Sequence, residues 1–532
     1  MSRKTSLITP AQGGLQPTRR DFLQGASALG VSALAGSTLF PQSAKAASPE
    51  KGGKMVAGLA GGATTDTLDP ATYTDTYMQA VSFATHSNLT EISPTGELIG
   101  DAAESWEASP DAKQWTFKLR KGITFSNGKD VAPEDVIASF NHHRGEESKS
   151  GVKNLVEPIE DIVVDGDNSV TFILKGGNAD FPYLTVDYHF PIMPAVDGKA
   201  DWQNYIGSGG YVLGEHEPGV RTTLKRRDDY WKEGRAHVEE VEIIGIAEAN
   251  ARQTALTTGD IDVMNRCDLK TVHLMARNSD ISVNETTGFK HYTMPMNTTL
   301  APFDNNDVRL ALKYAIDREA LVKTILKGHG AVANDHPISP SVPFHAGDMV
   351  QRTYDPDKAK FHLKQAGMDS LPLDLSAADA AFGGAVDAAV LYKEQAAKAG
   401  ININVVREPN DGYWSNVWMV KPWCMCFWGG RPTADWMFST AYAADSNWND
   451  TFWKDEQFNK LLLEARAELD NVKRGEMYGE MQRLLSDEGG VVVWGFANDV
   501  FAMSNSIGHE EEMAGNWELD GTRFIERWWK TS

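Results

Sequence analysis

Residues 371–406 alternate two apolar runs with one helical pattern, and this alternation constrains the fold more than any other feature of the chain. Leu371 to Ser376 and Gly400 to Val406 carry strand-like sequence, and Val386 to Ala399 spaces its apolar residues as an amphipathic helix does. Strand, helix and strand in succession make a crossover unit, whose two strands lie parallel. Ligands meet such sheets beyond the carboxyl ends of the strands. The next apolar run, Trp423-Cys424-Met425-Cys426-Phe427-Trp428, is unbroken and of strand length, so it reads as a further buried strand. Gly429-Gly430 then frees the backbone to turn, and Arg431, Pro432 and Asp435 follow directly. Aromatic walls with one cation and one carboxylate at a strand's end suit a small-molecule site. A core strand running into a surface turn is the plainer alternative.

A chain of 532 residues is too long for one hydrophobic core and should divide into two or three domains. Its 41% hydrophobic content is enough to fill them. Fifteen tryptophans, concentrated in the C-terminal third, exceed what packing alone asks for. The net charge of −22 excludes a nucleic-acid partner, because a phosphate backbone needs a basic stripe. Three cysteines exclude a disulfide framework. Cys424 and Cys426 share one face of the presumed strand; buried free thiols are expected there, with a strained bridge as the alternative.

Residues 1–46 read as an export segment rather than as part of the fold. Arg19-Arg20 precede Phe22-Leu23 and a weakly apolar stretch from Gly25 to Phe40, and Ala44-Lys45-Ala46 offers small residues for cleavage. The apolar stretch is shorter than the ~20 residues of a membrane span. The paired arginines resemble the twin-arginine signal, whose pathway delivers folded proteins to the periplasm. Residues 1–46 hold five Lys or Arg and one Asp, so the chain from Ala47 carries −26 against −22 for the whole sequence.

An enzyme needs a nucleophile or metal constellation, and no G-x-S-x-G, H-E-x-x-H or phosphate-loop pattern occurs. Gly58-Leu59-Ala60-Gly61-Gly62 lacks the spacing of a dinucleotide loop. His142 and His143 diverge by about 100° on a helix and have no third ligand nearby in sequence, so they are expected at the surface. No cofactor and no metal site is expected.

Several stretches resemble one family. They are Leu68 to Asp75; Glu104 to Val136; Ile206 to Leu213; Arg227 to Trp231; Ala251 to Asp262; Val308 to Arg318; and Tyr354 to Lys360. In them the chain is similar to the bacterial extracellular solute-binding proteins of the peptide-binding type, family 5, over roughly residues 52–532. The resemblance implies a two-lobed α/β periplasmic binding protein with an extra subdomain inserted in the first lobe. Lobe I would comprise 47–97, 205–295 and 495–532; the insertion, 98–204; and lobe II, 296–494. It implies a monomer that captures a solute between its lobes and hands it to the permease and ATPase of an ABC importer. A short peptide or amino-acid-derived zwitterion is the expected ligand, with opine-like conjugates, an oligosaccharide or a metal chelate as alternatives. A secreted hydrolase and a periplasmic chaperone are the readings from other classes.

The family usually presents an Asp after the Trp-containing strand, where it pairs with a peptide's amino group. Arg431 stands in that turn here, and Asp435 is the nearest carboxylate. Arg431 is expected to clamp a ligand carboxylate or phosphate. Asp435 is expected to meet an amine, or else to pair internally with Arg431. Tyr73 and Thr74 would face the ligand from lobe I, Asn297 would bond a ligand amide, and Trp428 would face the cleft; Tyr413 and Trp414 would form an aromatic wall or else pack in the core.

Overall fold

The computed structural model describes residues 49, 51–73, 75–409 and 413–531; the expected export segment and Thr74 lie outside the described residues. The chain opens with β1 (Lys54–Leu59) and then α1 (Thr76–Thr85). Asp75 caps this helix by accepting from the Met78 N–H. All ten residues of α1 are buried, as befits a helix enclosed within a core.

A separate antiparallel sheet follows, built from β2 (Ala103–Ala108), β3 (Gln114–Leu119), β4 (Ile159–Asp165) and β5 (Ser169–Leu174) in the order β2-β3-β5-β4. α2 (Pro133–Asn141) begins at a proline and covers this sheet. Phe140 meets Phe172 edge-on with ring centres 4.8 Å apart, within a core that Leu89, Ile206 and Trp231 also join. The expected surface histidines end α2 differently. His142 reaches back to Asp69 at 2.7 Å, but His143 is fully buried, with its Nδ1 2.7 Å from Ser150 Oγ. The apolar ring face had no weight in a reading based on ligand spacing.

The main sheet then gains β6 (Tyr211–Glu217), β7 (Arg221–Arg226), β8 (Glu240–Gly245), β9 (Val263–Met264) and the long β10 (Ile281–Pro295). Beyond these come β11 (Gly330–Val332), β12 (Leu371–Ala377), α3 (Ala385–Ala397), β13 (Ile401–Arg407) and β14 (Cys426–Trp428). α4 (Ala434–Ala441), α5 (Glu456–Ala467), α6 (Asn471–Glu488) and the returning β15 (Val491–Ser504) complete the part that positions the site. The nine-stranded sheet runs β6-β7-β8-β1-β9-β15-β10-β14, with β11 on β15.

The crossover unit is present: β12 and β13 are parallel from Leu371↔Ile401 to Ala377↔Arg407, with α3 between them. The apolar run from Trp423 joins this pair only through a parallel bridge from Cys424 to Ser376. From Cys426 it leaves to pair antiparallel with β10, Trp428 opposite His291. One run thus ties the two sheets together. Trp423, 1% exposed, packs between Phe303 and Tyr392. Burying such a ring removes 150–250 Å² from water, roughly 4–6 kcal/mol at about 25 cal/mol per Å².

β10 and β15 connect the two lobes. Ile281 and Val500 belong to one core, whereas Phe289, Val493 and Phe496 belong to another. The register between these strands slips between Thr287 and His291. Met296 and Trp494, where the sequence suggests the crossings, are both fully buried in the second lobe. Pro295 closes the ladder opposite Val491. Gly288 lies within that slip, and an added Cβ there would come 3.1 Å from the Asp499 carboxylate. Lys290 and Asp499 face each other at 2.5 Å beside it, one from each connecting strand.

Candidate functional site

The turn after β14 passes so close to β10 that only glycine fits. Gly430 has φ +77°, and a Cβ there would lie 2.2 Å from that of Phe289. This tight turn aims Arg431 toward lobe I. Its guanidinium donates to the Gly430 carbonyl at 2.6 Å and lies 5.9 Å from the centre of the Trp436 ring. No ion pair joins it to a carboxylate among the described residues. Burial lowers its affinity for the proton, opposed by the Asp187 carboxylate and by Tyr188 of lobe I. Asp187 already holds His189, with Nδ1 at 2.6 Å. Arg431 is therefore a partly buried, fully donor-bearing cation at the boundary of the lobes.

Asp435 behaves otherwise. Thr433 caps α4, its hydroxyl accepting from the Trp436 N–H, and the first helical turn swings Asp435 toward α5. There both of its oxygens accept from Arg466 Nε, at 3.1 and 3.2 Å. The internal Arg431–Asp435 pair is thus replaced by Arg466–Asp435. The relevant spacing was across two helices, which the chain order does not show. Burial pushes the Asp435 carboxyl up to about 6 in spite of Arg466.

Three further expectations change place. Tyr413 is 1% exposed and donates to the Met425 carbonyl at 2.7 Å, so of its two expected places it takes the core. Tyr73 is 3% exposed, donating to the Leu68 carbonyl at 3.0 Å and sitting 3.3 Å from the Tyr205 hydroxyl. Asn297 bonds Pro422 through its backbone and folds its side chain onto Thr299. That puts it at the amino end of the Trp423 run, opposite to the end that carries Arg431.

Trp414 and Trp428 do belong together, in a row the sequence did not assemble. Phe427, Trp414, Trp418, Trp428 and Trp448 follow one another with ring centres 5.6 to 6.2 Å apart. Behind them lies Asp450, 4% exposed. Its Oδ2 accepts from Trp418 Nε1 at 3.1 Å and from Trp428 Nε1 at 3.3 Å. Its Oδ1 is buried without a partner. Burial pushes this carboxyl up to about 6. The stretch around Asp450 has no periodicity to mark it; the crowding of tryptophans was the one available signal.

Cys424 and Cys426 are separate buried thiols, and burial raises the pKa of both. Among the described residues no three His, Cys, Asp or Glu side chains are placed to hold a metal ion. A cavity of about 290 Å³ opens next to the turn, with Tyr183 and Asn516 on one side and Phe289 and Pro432 on the other.

The two raised carboxyls set a pH signature. Asp435 and Asp450 bind protons near 6 in the fold, against about 3.9 in an unfolded chain. Between about pH 4 and 6 the folded state holds more protons, so their contribution to stability falls as pH rises through that window. Asp450→Asn keeps an acceptor for the indoles and removes the buried charge. Its unfolding free energy in urea is expected to exceed the native protein's by of order 2 kcal/mol at pH 7.5, with the gain vanishing at pH 4. An equal gain at both pH values would contradict the assignment.

Residues 97–450 match the family model described as bacterial extracellular solute-binding proteins, family 5 Middle. The chain is 27% identical over 464 residues to a dipeptide-binding protein of Escherichia coli strain K12, an alignment covering 79% of this chain and 85% of that one. It is 26% identical over 482 residues to the glutathione-binding protein GsiB of Shigella boydii, covering 88% and 92%. Its fold matches the periplasmic binding protein DppA of Helicobacter pylori, solved with the peptide STSA, at a TM-score of 0.74 and 21% identity over 91% of this chain and 99% of that one. With two lobes joined by paired strands, a separate small sheet in the first lobe and a family match over more than half its length, the chain belongs to the bacterial extracellular solute-binding proteins of family 5.

Proposed function

We propose that this protein captures a short peptide or another amino-acid-derived zwitterion in the periplasm, closes its lobes around it, and delivers it to the permease and ATPase of an ABC importer. One observation carries the ligand class: Arg431 stands at the lobe boundary with its donors turned to no carboxylate of the described chain. A planar guanidinium in such a place suits a ligand carboxylate, which it binds through two parallel hydrogen bonds. The relatives' named ligands, a dipeptide and glutathione, support the same class. Trp414 and Trp428 supply apolar walls, and no covalent step is assigned to the protein. Export by the twin-arginine route is supported by Arg19-Arg20 ahead of Phe22-Leu23, and the reading is of a monomeric receptor.

The test is native mass spectrometry of the protein purified from the periplasm without added ligand. A peptide or amino-acid derivative released on denaturation is expected. A retained neutral sugar, or failure of every amino-acid-derived zwitterion tried, dipeptides and N-alkylated amino acids alike, to raise the Tm, would overturn the reading.

A further inference from the structure

Asp450 stands apart from the other buried carboxylates of the described chain. Each of those has a basic side chain within salt-bridge distance: Asp335 has Arg318 and Arg352, Asp180 has Arg474, Asp435 has Arg466, and Glu91 has Lys232. Asp450 has none, and the groups that act on it are two indole N–H groups and the thiol of Cys426. A buried charge is ordinarily paired, because its desolvation otherwise goes uncompensated. Asp450 is thus a buried carboxylate with no cationic side chain beside it.

The tryptophans show where a cation would sit. Oδ2 is filled by its donors and Oδ1 is buried, so a ligand cannot reach the carboxylate itself. What faces outward is indole: Trp414 is 41% and Trp448 49% exposed, while Trp428 is 7% exposed. Trp414 stands at 77° to Trp418, and Trp418 at 72° to Trp428. These rings meet edge to face, and Trp414 and Trp448 leave ring surface open to solvent. A cation over an indole face is drawn to the negative face of the ring. An indole whose N–H donates to a carboxylate is more electron-rich, so Asp450 strengthens that attraction through Trp418 and Trp428.

The geometry points to a site for an alkylated ammonium group, tertiary or quaternary, on the Trp414–Trp418–Trp428–Trp448 row with Asp450 as its buried counter-charge. A primary ammonium would have to give up water without acceptors for its three N–H donors. A trimethylammonium group carries no such donors and is matched to aromatic faces. The inference deepens the proposed function: the zwitterion's carboxylate lies on Arg431 and its cationic end is N-alkylated. It rests on that reading for the carboxylate end alone.

The experiment is calorimetric titration of the exported chain with choline, glycine betaine, the uncharged isostere 3,3-dimethylbutanol and dialanine. Choline and glycine betaine are expected to bind and dimethylbutanol to bind at least about 10-fold more weakly. Asp450→Asn, expected to fold at least as stably, is expected to reduce choline affinity about 10-fold. Trp448→Ala, at an exposed position, is expected to do likewise. The site is overturned if dimethylbutanol binds as well as choline, if neither variant changes choline binding, or if dialanine alone binds. That last result would leave the proposed function standing. Conversely, choline binding with no binding of betaine or dialanine would uphold the cation site and reject the carboxylate reading.

Discussion

Arg431→Ala is expected to weaken binding of a carboxylate-bearing ligand by about 100-fold or more, while leaving the Tm of the empty protein nearly unchanged. Losing one partner of a desolvated, hydrogen-bonded charge pair costs about 2–5 kcal/mol, and each 1.4 kcal/mol is tenfold in Kd. The empty protein loses little, because the guanidinium has no ion pair among the described residues: it bonds its neighbour's carbonyl, overlies Trp436 and feels Asp187 and Tyr188 only through space. Removing it even relieves a partly buried cation of its desolvation. Arg431→Lys keeps the charge and loses the fork, so an intermediate affinity is expected. Titration calorimetry and thermal denaturation read the two effects separately. A large drop in the Tm of the empty protein with unchanged ligand stabilisation would assign Arg431 to the scaffold.

The second large effect concerns closure. Asp180 lies beside Phe181 of the small-sheet core, and Arg474 lies on α6 beside Tyr478 of the second lobe. They meet at 2.6 Å, with 8% and 6% of their side chains exposed. Next to them Ala179 N–H donates to the Arg466 carbonyl at 2.7 Å. Arg474 also stacks on Phe344, 4.9 Å from the ring centre, which holds it in place whether or not Asp180 is near. The pair thus joins the small-sheet core to α6 of the second lobe, and it is expected to part when the lobes open. Asp180→Ala is expected to remove about 1.5–3 kcal/mol from closure and to raise the ligand Kd by roughly 10- to 100-fold, since affinity is reduced in proportion to the population of the competent state. Small-angle scattering should show a larger radius of gyration for the empty variant. The stability of each lobe should hardly change, because both side chains are free to hydrate when the lobes part. Unchanged ligand affinity in the variant would rule out a role for the pair in closure.

The parts of the fold that rest on local pattern were legible in the residues. β12, α3 and β13 follow from periodicities of two and 3.6 over an uninterrupted stretch. The turn at Gly430 was also legible, since Gly429-Gly430 ends an apolar run and φ +77° needs glycine. Less visible was which groups would find partners. Asp435 lies four residues from Arg431 yet takes Arg466 from another helix. Asn297 and Tyr73, polar residues in suggestive places, spend their hydrogen bonds on their own surroundings.

By itself, the sequence determined the class of protein: parallel crossover, aromatic strand, family stretches and a cation in the turn, all written in contiguous residues. Only the tertiary structure decided the chemistry of the site. It gave Asp435 a counter-ion and left Arg431 and Asp450 without one among the described residues. The physical reason is that a charge is satisfied or unsatisfied by what lies within about 4 Å in space, and residues 418, 428, 448 and 450 meet only after the chain has folded.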